Sequence, residues 1–154
     1  MRGFTLIELL TGIGLASLIA AAGMAASMDG IREMRIREDR EILTDALFRA
    51  RAKALSGRCA GENCVRGMAY GVRAEPGRFV IFQGERYAER DPDADEALPR
   101  ASDAALNGDR EAAFSAGSGA GLLPGEMIVE DDGLAYAVSV APTGRITWRR
   151  ILAP

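Results

Sequence analysis

The chain has 154 residues, 48% apolar and 27% charged, with 18 glycines and a formal net charge of −3. This composition excludes wholesale disorder and leaves room for one modest domain beside a terminal segment, and the charge excludes a surface built throughout to hold nucleic acid. Histidine is absent and arginine outnumbers lysine eighteen to one, which removes the usual general base and the commonest metal ligand.

The first element is an apolar run. Leu9 to Met28 is 20 residues without a charge, about 30 Å of helix at 1.5 Å per residue, the thickness of a hydrocarbon core. Arg2 precedes the run and Asp29 follows it directly, a balance that favours an inside amino terminus with the remainder outside. Glu8 is the only ionisable side chain between Phe4 and Met28, and a carboxylate at the centre of a spanning helix costs about 2.5–3.5 kcal/mol. These letters allow a secretory signal cut near "GMAAS", a plain anchor with Glu8 at the interface, or a segment in which Glu8 has a task of its own.

"GFTLIELL" resembles the processing site of type IV prepilins and type II secretion pseudopilins: a short basic leader ending in Gly3, then Phe4, then glutamate as the fifth mature residue, Glu8. The resemblance implies that residues 1–3 are a leader removed by a prepilin peptidase on the cytoplasmic side. It also implies that Phe4 becomes an N-methylated terminus and that residues 4–28 remain as a transmembrane half-helix. In a staggered bundle the new ammonium of one subunit would lie beside Glu8 of its neighbour. Because desolvation offsets the attraction, that pair is a register device rather than a net source of stability. The implied partners are other pilin or pseudopilin subunits, the peptidase, an inner-membrane assembly platform and membrane lipid. The implied location is the cytoplasmic (inner) membrane, crossed once with the head outside, and an extracytoplasmic filament after assembly.

Beyond Met28 the letters turn charged, yet no proline occurs before Pro76, so the helix is expected to continue through an amphipathic half, 29–56. Ile42, Leu43, Ala46, Leu47, Ala50 and Ala54 recur at three- and four-residue intervals as one apolar stripe, and Gly57 is the expected stop. Arg35, Arg37, Glu38, Asp39, Arg40 and Glu41 form a charged collar ahead of the stripe. Gly12, Gly14, Gly23 and Gly30 each lower helix propensity by about 1 kcal/mol relative to alanine. Gly23 or Gly30 is a candidate flexible point, in place of the proline many pilins carry; the alternative is close approach of neighbouring helices.

Residues 57–154 read as a β-rich head. "MAYGVRA", "GRFVIFQG", "GEMIVED", "LAYAVSVAP" and "GRITWRRI" alternate or are rich in β-branched and aromatic residues between breakers, and at least four are expected in an antiparallel sheet, with "PTGR" turning a terminal hairpin. Residues 85–111 carry nine acids against four bases, a local charge of −5; they read as a surface loop with a helical turn near Ala104. The fold class is therefore α+β, a long N-terminal helix packed on a small antiparallel sheet, pilin-like by resemblance. "LFRARAKALSG", "YGV", "RFVIFQ" and "SVAPTGRIT" in that order further resemble the GspH/FimT group of minor pseudopilins, whose head is a small β-sandwich.

Beside Gly3, Phe4 and Glu8, three sets of residues are candidate sites. Cys59 and Cys64 suit a disulfide closing a small loop in an oxidising compartment. Asp91, Asp93 and Asp95 open like a calcium loop, but Glu96 stands where that loop needs glycine and Ser102 where it needs a bidentate glutamate, so the expectation is a solvated acidic loop and no cofactor. Arg145, Trp148, Arg149 and Arg150 would suit phosphate neutralisation and base stacking on DNA, as in the FimT branch. Their alternation equally suits a half-buried edge strand. No nucleophile and base set, phosphate loop or metal-ligand cluster is present, so the reading is of a non-enzyme. The function expected is that of a structural subunit, a minor pilin or pseudopilin; the alternatives are a DNA-binding minor pilin and a membrane-anchored binding module that never polymerises.

Overall fold

The computed structural model describes residues 5–57 and 67–152, with the backbone alone over 24–29. The chain divides into two compact units, Met1–Met34 and Arg35–Pro154. One helix, α1, runs Leu6–Ser56 and is unbroken at all four of its glycines. At Gly57 the backbone turns left-handed, φ +60°, a conformation that costs glycine nothing and ends a helix by closing its last carbonyls.

The described residues of the first unit are helical from Leu6 onward. Its side chains are exposed on every face over 6–23, and Leu6–Gly23 is long and apolar enough to cross a membrane. Two of its hydroxyls are satisfied within it. Thr11 donates to the carbonyls of Ile7 and Glu8 at 2.9 and 3.0 Å, and Ser17 donates to that of Ile13 at 2.8 Å. A helix that closes its own polar groups in this way meets the condition for residence in hydrocarbon.

The second unit is α+β. Among the described residues its nine strands are β1 Tyr70–Glu75, β2 Arg78–Gln83, β3 Glu96–Pro99, β4 Ala105–Gly108, β5 Glu111–Phe114, β6 Gly121–Leu123, β7 Gly125–Asp131, β8 Leu134–Val140 and β9 Ile146–Leu152. They form two antiparallel sheets, ordered β3-β2-β1-β5-β6 and β4-β7-β8-β9. The five strands expected from alternation are all present, but they are shared between two sheets rather than forming one. β8 and β9 make the expected terminal hairpin, in register from Leu134↔Leu152 to Val140↔Ile146.

One apolar core joins the stripe to both sheets. Leu43, Ala46, Leu47, Ala50 and Ala54 are fully buried, and the buried stripe begins nearly two turns earlier than expected, at Ile36. The first sheet contributes Tyr70, Val72, Phe79, Ile81 and Phe114, and the second Met127, Val129, Tyr136 and Val138. Period-2 alternation puts these residues on one face of each strand.

The segment 85–111 is corrected. It contains 3-10 turns at Tyr87–Glu89 and Pro92–Ala94, all of β3 and β4 and the start of β5, and there is no helical turn at Ala104, which is buried. Three of its nine acids are paired with bases, Asp95 with Arg90 at 2.8 Å, Glu111 with Arg73 at 3.3 Å, and Glu96 with Arg49 and with Lys53, the latter at 2.7 Å, while Glu85, Glu89, Asp93, Asp103 and Asp109 are exposed as the sequence predicts. Tyr87 folds back over the outer face of the first sheet, edge to face with Phe82 at 5.4 Å. Gly71 makes room beneath: a Cβ there would collide with the Phe82 ring and lie 2.6 Å from the Ala112 carbonyl oxygen.

Candidate functional site

Glu8 stands in the first turn of α1. Thr5 precedes the helix, and its side-chain and backbone oxygens accept from the Glu8 N–H at 3.4 and 3.1 Å. Threonine before the first helical residue with glutamate three positions on is the spacing of a capping box, a signal in "TLIE" that sequence reading passed over. An acid in the first turn also complements the positive end of the helix dipole. The helix start thus accounts locally for the presence of a carboxylate, and Leu6, Ile7, Leu9 and Leu10 around it are exposed. Gly3 and Phe4 lie outside the described residues, as do Cys59 and Cys64.

The arginine-rich strand is the second candidate. β9 is an edge strand, paired only with β8. Trp148 stands opposite Val138, on the face turned to the core, and is 50% exposed. Its ring lies 4.0 Å from the Arg40 guanidinium carbon, edge to face with Tyr136 at 6.1 Å. Arg40 also lies 5.4 Å from the Tyr136 ring and donates to Glu41 at 2.6 Å. In the sequence Arg40 is one of a charged collar; nothing in the letters tied it to a tryptophan more than a hundred positions away.

Arg149 points to the opposite face, where it and the Ser139 hydroxyl both donate to Glu126, at 3.0 and 2.8 Å. Arg145 and Arg150 are exposed, and among the described residues neither has an ion pair. Trp148 and Arg150 therefore share one face while Arg145 and Arg149 occupy the other.

The acidic triplet is engaged in local structure. Asp91 caps the 3-10 turn by accepting from the Asp93 N–H at 3.1 Å, and Asp95 is held by Arg90. Among the described residues no group of three or more potential ligands could hold a metal ion. The carboxylate with a displaced pKa is Glu75: the Tyr87 hydroxyl, donating at 2.6 Å, and Arg78, at 2.8 Å, hold it below the usual range. Burial first, and then that same bond, push the Tyr87 hydroxyl up. Both effects favour the ion pair as it stands, the pattern of a structural clamp rather than of a general base.

Compared with known proteins, the chain matches no family model, no curated protein and no solved structure.

Proposed function

We propose that the chain is a structural subunit of a type IV pilus or type II secretion pseudopilus, a minor pilin or pseudopilin of the GspH/FimT kind. The observation that carries this reading is "GFTLIELL" opening the stretch Leu6–Gly23 of α1, which is apolar and exposed on every face and has Glu8 as its single acid. A free helix of this kind needs either lipid or other helices around it, and an assembling filament offers both in turn. Prepilin peptidase cuts after Gly3 and methylates Phe4, and the subunit sits in the inner membrane with its head outside until it is assembled. The new ammonium at Phe4 then finds Glu8 of a neighbour, and a misplaced subunit leaves both charges bare, which makes the pair a sensor of register. The subunit carries out no reaction and takes no cofactor; its work is packing.

Mass spectrometry of the protein from its host membrane tests the processing: loss of residues 1–3 with one methyl on Phe4 is expected, and an intact leader overturns the reading. Glu8→Leu should leave insertion and cleavage unchanged and abolish incorporation into filaments. Incorporation at the normal level would remove Glu8 from the mechanism.

A second reading rests on β9. Arg150 and the exposed Trp148 lie on one face of β9 and Arg145 directly precedes the strand, a combination suited to phosphates and an unstacked base. In that case the filament takes up DNA, and alanine at Arg145, Arg149 and Arg150 together should abolish a salt-sensitive DNA retention. No retention by the unaltered chain at low salt would end this reading.

A further inference from the structure

The four sheet edges are not alike. β3 and β4 have four residues each and β6 has three, and β3 ends in Pro99. Short length and proline are the ordinary means of blunting an edge. β9 has seven residues, contains no proline and shows no bulge against β8, with which it is in register from end to end. Thr147, Trp148, Arg149 and Arg150 are exposed in succession and Leu152 is 86% exposed, and among the described residues no strand pairs with the outer side of β9. Every second residue of such an edge turns an unpaired N–H and C=O outward.

The charge on this edge decides what it can accept. From Ala141 onward there is no acid, and Arg145, Arg149 and Arg150 are the only charged side chains. Two copies pairing edge to edge would bring three arginines from each along one seam, and like charges facing each other across strands destabilise the pairing. An acidic strand meets the reverse situation: Arg145 and Arg150, without ion pairs among the described residues, would gain partners on both of its faces.

We infer that β9 is an open docking edge that takes an extended acidic segment of another protein as an additional strand of the β4-β7-β8-β9 sheet. Main-chain hydrogen bonds hold the segment, Arg145 and Arg150 select for its carboxylates, and the exposed Trp148 and Leu152 provide apolar contact for side chains on the core-side face. This inference does not depend on filament assembly.

The test uses the full chain in detergent micelles and the emission of Trp148, its only tryptophan. The probe is a capped peptide of alternating glutamate and threonine, about eight residues long to match a typical strand. The expected result is a saturable change in Trp148 emission. The affinity should fall at least about tenfold when every backbone nitrogen of the peptide is methylated, and again when Arg145→Glu and Arg150→Glu are combined. A lysine and threonine peptide should not bind. No saturable change with the acidic peptide overturns the inference. Equal binding of the methylated peptide also overturns it, since charge alone would then be responsible. So does a single-stranded oligothymidine that changes the emission where the acidic peptide does not, or concentration-dependent self-association through β9. The methylated peptide is compared on the unaltered chain, so that arm does not depend on how the variant folds.

Discussion

Asp39 and Arg100 form a buried ion pair that fastens the loop after β3 to α1. The Asp39 carboxylate is wholly inaccessible to solvent and the Arg100 side chain nearly so, at 3%. Arg100 donates through Nε at 3.1 Å and lies 3.0 Å away through Nη2, the Ala101 N–H donates to the second oxygen at 2.6 Å, and the Ser102 hydroxyl completes the shell. Arg100 Nη2 also donates to the Ala104 carbonyl, at 2.6 Å. Removing one partner of such a pair strands a buried charge, which costs about 3–5 kcal/mol, whereas replacing both with apolar groups is close to neutral. Asp39→Leu alone should therefore destabilise the protein by about that amount, and Asp39→Leu with Arg100→Met by much less than the sum of the two single changes. Urea unfolding followed by Trp148 emission measures both.

The Glu75 cluster predicts a dependence on pH. Hydrogen bonds from Tyr87 and Arg78 lower the Glu75 pKa on folding, so this carboxylate contributes stability above its unfolded pKa and loses it as the pH falls through its folded value. Glu75→Gln should lower the melting temperature most at neutral pH, and the gap between variant and parent should close on acidification. Tyr87→Phe should behave alike but more weakly, because Arg78 remains. A gap that stays constant from neutral to acid pH would show that Glu75 acts through packing and not through its charge.

Gly71 provides a test of the packing under Tyr87. Alanine there would push its methyl into the Phe82 ring and toward the Ala112 carbonyl oxygen, 2.6 Å away. Overpacking of this kind costs about 1–3 kcal/mol. Pairing Gly71→Ala with Phe82→Leu should recover only part of the loss, because the ring can be shortened but the carbonyl belongs to the β1–β5 ladder. Thermal melting of the two variants separates the two contributions.

How much of this was legible follows from what each residue's neighbours in sequence could reveal. β1, β2, β7, β8 and β9 announce themselves because Val, Ile, Tyr and Phe alternate between glycine and proline breakers, and the stop of α1 at Gly57 is a local backbone event. β3, β5 and β6, "EALP", "EAAF" and "GLL", lack β-branched residues. β3 is a strand because β2 pairs with it, β5 because β1 does and β6 because β5 does, a tertiary effect that propensity does not carry. Asp39 was indistinguishable from the charges beside it, since its burial depends on Arg100 and Ser102, more than sixty positions on. Tyr87 was hidden in the same way among acids that read as solvated. The Glu8 region was legible through resemblance, and the threonine at position 5 that caps its helix was there to be read.

The core's composition predicts where the chain can be divided. Every residue of the apolar cluster lies between Ile36 and Ile146, and the helix supplies Ile36, Leu43, Ala46, Leu47, Ala50 and Ala54 to it. A fragment 35–154 retains all of them together with both sheets and the Asp39–Arg100 pair, so it should fold without detergent and unfold in one cooperative transition. A fragment 57–154 loses the whole stripe. Leu43 and Leu47 alone account for about 2–5 kcal/mol each when truncated to alanine, comparable together with the entire stability of an ordinary domain of about 5–15 kcal/mol. This shorter fragment should therefore expose the inner faces of both sheets and either aggregate or bind hydrophobic dyes without a melting transition. Circular dichroism and dye binding on the two fragments decide the matter: a cooperative transition in 57–154 would mean that the sheets hold a core of their own and that the stripe only covers it.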